Sequence, residues 1–123
     1  MAQLYRKLKK DYPNTNFVIE GWHVLPKRIS QFIDLKNFIT VGLGFPNQDT
    51  ALKLQEIRKF SDENDYCQHL TDQRIRRLIE NCKSQSLIIK QECAAVGIEF
   101  FDLSNNWDNT QQKIRNYLLA SLK

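Results

Sequence analysis

Apolar residues along this chain follow two alternating patterns. Short, nearly continuous apolar runs flanked by turn residues are typical of strands buried on both faces, and they occur at Phe17–Glu20, Phe38–Leu43 and Ile98–Leu103. Longer segments between them carry apolar residues three or four positions apart, which predicts helices. Strand and helix in alternation favour a parallel sheet with helical crossovers. We therefore predict one three-layer α/β domain over residues 1–123, with a parallel sheet of at least three strands.

The clearest helical pattern runs from Thr71 to about Val96, with Thr71 able to cap its start and Gly97 its end. Its inward stripe steps by three or four positions and consists of Ile75, Ile79, Cys82, Ser86, Ile89 and Cys93. Further helices are predicted over residues 2–11, 27–37, 48–60, where Asn47 is the expected N-cap, and 110–122. The expected core includes Val18, Ile19, Ile39, Val41, Ile79, Ile89, Phe100 and Leu118.

Composition narrows the classes of partner. The formal net charge of +4 permits an anionic ligand such as a nucleotide. The basic clusters at residues 6–10 and 74–77 lie in predicted helices, where solvated helix faces explain them better than nucleic-acid contacts do. No apolar run approaches the roughly 20 residues that span a membrane, and the first ten residues carry no signal-peptide core, so we expect a cytoplasmic protein without membrane contact. The three cysteines have no C-x-x-C spacing, so we expect neither a disulfide framework nor a zinc site.

Candidate chemistry gathers where the predicted strands end, because open α/β sheets bind ligands outside the carboxyl ends of their strands. Glu20 ends the first predicted strand, Asn47 follows the second, and Asp102, Ser104 and Asn105 lie at the end of the third. A carboxylate at the end of a buried strand is costly unless it is hydrogen-bonded or paired with a metal. Glu20 is therefore either a base or a ligand of a magnesium-bound water, or it emerges into solvent without a role.

The helix after the second predicted strand carries a second pair of candidates, Lys53 and Arg58. Such basic residues either contact phosphates from a closing lid or remain solvated surface charges, and arginine in particular matches phosphate oxygens with two parallel hydrogen bonds.

In the turn after Glu20, His23 is either a general acid or base or an ordinary loop histidine. Trp22 in the same turn either stacks on an aromatic ligand or edges the core.

Three stretches, NFVIEGWHVLP, FITVGLGFPNQDTALKLQEIRKF and LTDQRIRRLIENCKSQSLIIKQECAAVGIEFFDLSNN, together resemble P-loop nucleotide or nucleoside kinases of the adenylate-kinase-like kind. The resemblance implies ATP and magnesium as cofactors. It places Glu20 at a Walker-B-like strand end near a magnesium-bound phosphate, and Lys53 and Arg58 among the basic residues of the lid. It also places the loop Asp102–Asn106 beside the nucleotide base.

These 123 residues contain no glycine-rich phosphate loop of the form G-x-x-x-x-G-K-[ST], which in the family supplies most phosphate contacts. The first functional hypothesis is therefore a P-loop-kinase-related protein that is inactive alone. The alternative is a non-enzymatic α/β module that binds a partner or itself. In the family the phosphate-loop strand lies in the middle of the sheet, so the resemblance implies a homodimer or a partner that supplies the missing segment. The alternative is that the strands on either side of the gap pair with each other and the chain stays monomeric.

Overall fold

The computed structural model describes residues 2–21, 24–32 and 37–122, and most of them are helical. Its helices are α1 (Ala2–Asp11), α2 (Pro26–Phe32), α3 (Thr50–Phe60), a short 3-10 helix (Tyr66–His69), α4 (Asp72–Val96) and α5 (Trp107–Ser121). Its strands are β1 (Val41–Gly44) and β2 (Glu99–Asp102). Residues 33–36 of the helix predicted over 27–37 lie outside the described residues.

The sheet is smaller than the sequence predicts. β1 and β2 pair in parallel, with Val41 opposite Glu99 and Gly44 opposite Asp102, and they form a two-stranded sheet in the part of the chain that the structure describes. The prediction of a three-layer fold with three or more strands is therefore wrong. Phe17–Glu20 has no regular secondary structure, because no strand among the described residues pairs with its backbone. Its Val18 side chain is 96% exposed.

Helix α4 lies directly over β1. A Cβ atom added at Gly42 would meet Cys93 Sγ at 2.5 Å, and one added at Gly44 would meet the Ser86 side chain at 2.8 Å. The helix and strand approach so closely only because both positions are glycine. The predicted caps are confirmed: the Thr71 hydroxyl accepts from the Arg74 N–H, and Gly97 ends the helix with a φ of 76°.

The buried apolar cluster of the described residues lies between α3 and α4. Leu54, Ile75 and Ile79 form a buried cluster, which confirms Ile79 as a core residue. The core prediction is wrong for Val18 and for Ile39, which is 42% exposed. The remaining predicted core residues are half-buried: Ile19, Val41, Ile89, Phe100 and Leu118.

The packing on the two faces of the sheet explains why the predicted core residues of the strands are only half-buried. One face packs against α4, where Cys93 is fully buried, although Cys82 on the same predicted stripe is exposed. The other face packs against α5, where the Phe101 and Tyr117 rings meet edge to face at 5.6 Å. Leu43 on that face stays 46% exposed. Strand residues therefore reach intermediate burial instead of the two-sided burial of a larger parallel sheet.

Candidate site at the carboxyl ends of the strands

Backbone and side-chain hydrogen bonds join the loops that follow β1 and β2. The Leu103 N–H donates to the Gly44 carbonyl at 2.7 Å, which extends the strand ladder by one bond. The Asn47 N–H donates to Ser104 Oγ at 2.9 Å. Parallel strands end at the same edge of a sheet, so polar residues distant in sequence come together here.

Asp102 is the centre of this arrangement. Its Oδ1 accepts from the Ser104 N–H at 2.8 Å and from the Ser104 hydroxyl, and its Oδ2 accepts from Asn47 Nδ2 at 2.9 Å. Partial burial by itself would raise the pKa of this carboxyl group. The hydrogen bonds from Ser104 and Asn47, together with the positive charge of Lys90, outweigh burial and hold the pKa of Asp102 below its ordinary value.

A cation and an aromatic ring border the same strand end. Phe45 follows β1 directly, and its N–H donates to Ser86 Oγ of α4 at 3.1 Å. Lys53 Nζ lies 5.7 Å from the centre of the Phe45 ring and 3.2 Å from Glu56 Oε2. We call the set Phe45, Asn47, Lys53, Asp102 and Ser104 the strand-end site.

Arg58 has different neighbours from Lys53. Its guanidinium group donates to the carbonyl oxygens of Cys67 at 3.0 Å and Leu70 at 2.5 Å, and to Asp72 Oδ1 at 2.8 and 3.0 Å. These acceptors belong to the 3-10 helix, to the residue that follows it and to the start of α4. Arg58 therefore connects α3 to the segment between the 3-10 helix and α4 by hydrogen bonds. Its assignment as a phosphate ligand stays a prediction, and these contacts do not favour it.

The other predicted site residues lie apart from this network or at its border. Glu20 is exposed in the irregular segment that was expected to be the first strand, so no strand end delivers it to the strand-end site. Asn105 is exposed next to Ser104, in the loop before α5. Trp22 and His23 lie outside the described residues.

Sequence reasoning assigned Asn47 as the N-cap of the next helix, and this assignment is wrong. The N-cap of α3 is Asp49, whose Oδ1 accepts from the Leu52 N–H at 2.9 Å. Asn47 is thereby free to bond across to the loop after β2. The sequence signal for this was present, because Asp49 stands before Thr50 and the regular helical pattern.

Within the described residues, no group of three or more His, Cys, Asp or Glu side chains is placed to hold a metal ion. None of the described helices combines the length and apolar character needed to span a membrane. Comparisons with protein-family models, with curated proteins and with solved structures find no match to this chain.

Proposed function

We propose that this protein is related to P-loop nucleotide or nucleoside kinases and binds a nucleotide weakly at the strand-end site. The observation that carries the proposal is the convergence of Asn47, Asp102 and Ser104 at the carboxyl ends of two parallel strands, with Lys53 over the ring of Phe45, the residue that follows β1. This is where open α/β sheets bind their ligands. The resemblance of the sequence to this kinase family supports the same location.

We assign binding of the nucleotide base to Asn47, Asp102 and Asn105. Both Asn47 and Asn105 are exposed, so their amide groups are accessible to the edge of a base. The Asp102 carboxylate accepts hydrogen bonds and carries a lowered pKa, so it stays ionised at neutral pH and can accept from a base amino group. The exposed Asn105 adds a donor and an acceptor next to this carboxylate.

We assign binding of the nucleotide phosphates to Lys53. Its ammonium group is partly exposed and carries a single close carboxylate, Glu56, in an i,i+3 pair. Ion pairs of this kind on the surface contribute little to the free energy of folding, so a phosphate group can displace the Glu56 carboxylate from Lys53. One lysine provides far fewer phosphate contacts than a glycine-rich loop does, which is why we expect weak binding and little or no phosphoryl transfer by the isolated chain.

Magnesium fits the described residues less well than a nucleotide does. Glu20, the residue to which the resemblance assigns the metal-bound phosphate, lies in the irregular segment and not at a strand end. Magnesium keeps several waters and needs one or two carboxylates besides the phosphates. No step of the proposed binding depends on the metal.

An NMR titration of the chain with ATP, with and without magnesium, tests the proposal. We expect amide shifts at Phe45, Asn47, Ser104 and Asn105, with a dissociation constant of roughly a millimolar. Lys53→Ala should weaken binding about tenfold, the value of one charge-assisted hydrogen bond.

The matched control is Lys59→Ala on the same helix, because Lys59 also lies over an aromatic ring, with its Nζ 5.2 Å from the centre of Phe60. That change should leave binding unaltered. Equal effects of the two substitutions, or no shift at the strand-end site at about 10 mM ATP, would contradict the proposal.

A second candidate function is partner binding, and the exposed surface of the chain favours it. The chain exposes 9591 Å², whereas a compact protein of 14.5 kDa exposes about 6,900 Å². The excess of about 2,700 Å² is larger than the roughly 800 Å² that one partner contributes to a standard interface. Small-angle scattering tests whether this surface is open in the isolated chain. A radius of gyration near 14 Å, as for a compact chain of this length, would show that the excess surface is not open in solution and would remove the observation that favours partner binding.

A further inference from the structure

Helix α5 carries a stripe of residues that extends past the end of the sheet. The stripe steps by three or four positions and therefore lies on one side of the helix; it consists of Trp107, Thr110, Ile114, Tyr117 and Ser121. Thr110 is buried, and its hydroxyl donates at 3.4 Å to the carbonyl oxygen of Asp102, the last residue of β2. At the other end of the stripe, Ser121 borders a hollow together with Gly97, which precedes β2. The helix α5 therefore runs antiparallel to β2, and its first turn lies beyond the carboxyl end of that strand.

Trp107 is the first residue of this stripe. It precedes Thr110 by three positions, so its Cα lies about 4.5 Å further along the helix axis, away from the sheet. Side chains of a helix also tilt toward its N-terminus, which carries the indole further in the same direction. Trp107 is accordingly 52% exposed, although its stripe faces the sheet. The indole thus borders the strand-end site from the α5 face, next to the loop that contains Ser104 and Asn105.

A nucleotide base needs partners both for its polar edge and for its flat faces. The strand-end site provides the partners for the edge, because Asp102 Oδ2 accepts one hydrogen bond, from Asn47, and keeps a second acceptor position. The Phe45 ring already has the Lys53 ammonium group 5.7 Å from its centre. The Trp107 indole has neither an aromatic ring nor a cation on it among the described residues. It is therefore the available aromatic surface beside the hydrogen-bonding edge.

We propose that Trp107 stacks on the base of a nucleotide bound at the strand-end site and makes this site selective for purines. This inference rests on the proposed nucleotide binding. A base whose edge is held by Asp102 and Asn105 lies beside the first turn of α5, where the indole covers one of its faces. Aromatic side chains that stack on bases contribute strongly to affinity, and the contribution follows the overlap of the two ring systems. A purine has two fused rings and a pyrimidine has one, so the indole favours the purine.

NMR titrations with ATP, GTP, CTP, UTP and inorganic tripolyphosphate test the inference. The phosphate chain is common to all five probes, so differences between them report on the base. ATP and GTP should bind more tightly than CTP and UTP, and tripolyphosphate should bind most weakly. The chain has two tryptophans, and the Trp107 indole N–H signal is the one that disappears in Trp107→Phe. This signal should shift with ATP and stay in place with tripolyphosphate.

Substitutions at Trp107 separate stacking from a structural role. Trp107→Leu should weaken ATP binding at least about fivefold and remove the preference for purines. Its affinity for tripolyphosphate should stay the same, whereas a general disturbance of the site would weaken binding of every probe and would overturn the inference. Trp107→Phe keeps a ring and should retain part of the purine preference. Leu119→Ala is the matched control, because Leu119 is 51% exposed on the same helix, and it should leave all affinities unaltered.

The same titrations distinguish failure of this inference from failure of the proposed function. ATP shifts at Asn47 and Ser104 without a shift of the Trp107 indole would overturn the stacking while nucleotide binding stands. Equal affinities for purine and pyrimidine nucleotides would do the same, and so would a shift of the Trp22 indole alone. No shift at the strand-end site would overturn both. If Trp107→Leu does not fold, the indole signal and the nucleotide series on the unaltered chain decide.

Discussion

Asn47 and Asp102 are 55 positions apart in the chain, and Asn47 Nδ2 donates to Asp102 Oδ2 over 2.9 Å. The contact forms only when β1 and β2 lie side by side, since Asn47 lies in the loop after β1 and Asp102 is the last residue of β2. The carboxylate also accepts from Ser104, so it has partners on both loops. Its protonation therefore reports whether the strand ends are assembled.

The first prediction concerns the pH dependence of stability. The pKa of Asp102 is lower in the folded chain than its ordinary value of about 3.9, so the unfolded chain binds more protons between these two values. Its contribution to the free energy of unfolding is complete above about pH 5 and is lost as the pH falls through the folded pKa. Asp102→Asn should lower stability at neutral pH and flatten the decline in acid, as measured by urea unfolding from pH 7 to about pH 2.

Glu63→Gln is the control for this experiment, because Glu63 is an exposed residue of the loop before the 3-10 helix. It should reproduce the acid decline of the unaltered chain. An Asp102→Asn curve that runs parallel to the unaltered chain at every pH would show that the strand-end hydrogen bonds do not depend on the charge.

The second prediction concerns the close approach of α4 to β1. Gly42→Ala should lower the free energy of unfolding by about 1–3 kcal/mol, because the new Cβ would lie 2.5 Å from Cys93 Sγ. In a Cys93→Ala background the same change should cost at least about 0.5 kcal/mol less, a coupling that a double-mutant cycle measures.

Gly97→Ala provides the comparison, because a Cβ there meets nothing within 4 Å and its cost arises from the φ of 76°. That cost should be the same with and without Cys93. If the penalty at Gly42 were also independent of Cys93, the helix would not lie where the structure places it.

The third prediction separates the structural role of Arg58 from phosphate binding. Arg58→Lys should cost about 1–3 kcal/mol in urea unfolding, because an ammonium group cannot replace a fork that reaches two carbonyl oxygens and Asp72. ATP affinity should stay unchanged, and Lys59→Ala should alter stability by no more than about 0.5 kcal/mol. Normal stability with lost ATP binding would instead identify Arg58 as a phosphate ligand.

The fourth prediction contrasts two residues that the sequence places equally in the core. Ile79 is 3% exposed, so Ile79→Ala should cost about 2–5 kcal/mol. Val18 is 96% exposed, so Val18→Ala should change stability by no more than about 0.5 kcal/mol. Urea unfolding of both variants decides the matter, and a large loss at Val18 would mean that the segment around it is packed in solution.

Sequence by itself determined the elements whose hydrogen bonds are local. The stripe through Ile75 and Ile79 predicted α4, and Thr71 and Gly97 marked its two ends, because a helix satisfies its backbone within its own turns and needs only caps at its termini. The apolar runs around Val41 and Phe100 likewise indicated β1 and β2, with a crossover long enough for parallel pairing.

Tertiary structure alone decided everything that depends on a partner distant in the chain. Phe17–Glu20 has the composition of a strand, yet a strand forms only where another strand accepts its N–H and C=O groups, and none does so in the described chain. Arg58 reads as a free cation until the carbonyl oxygens of Cys67 and Leu70 are placed around it. Asn47 reads as a helix cap until the loop after β2 brings Asp102 within hydrogen-bond distance, because no local pattern records which polar groups two parallel strands will bring together.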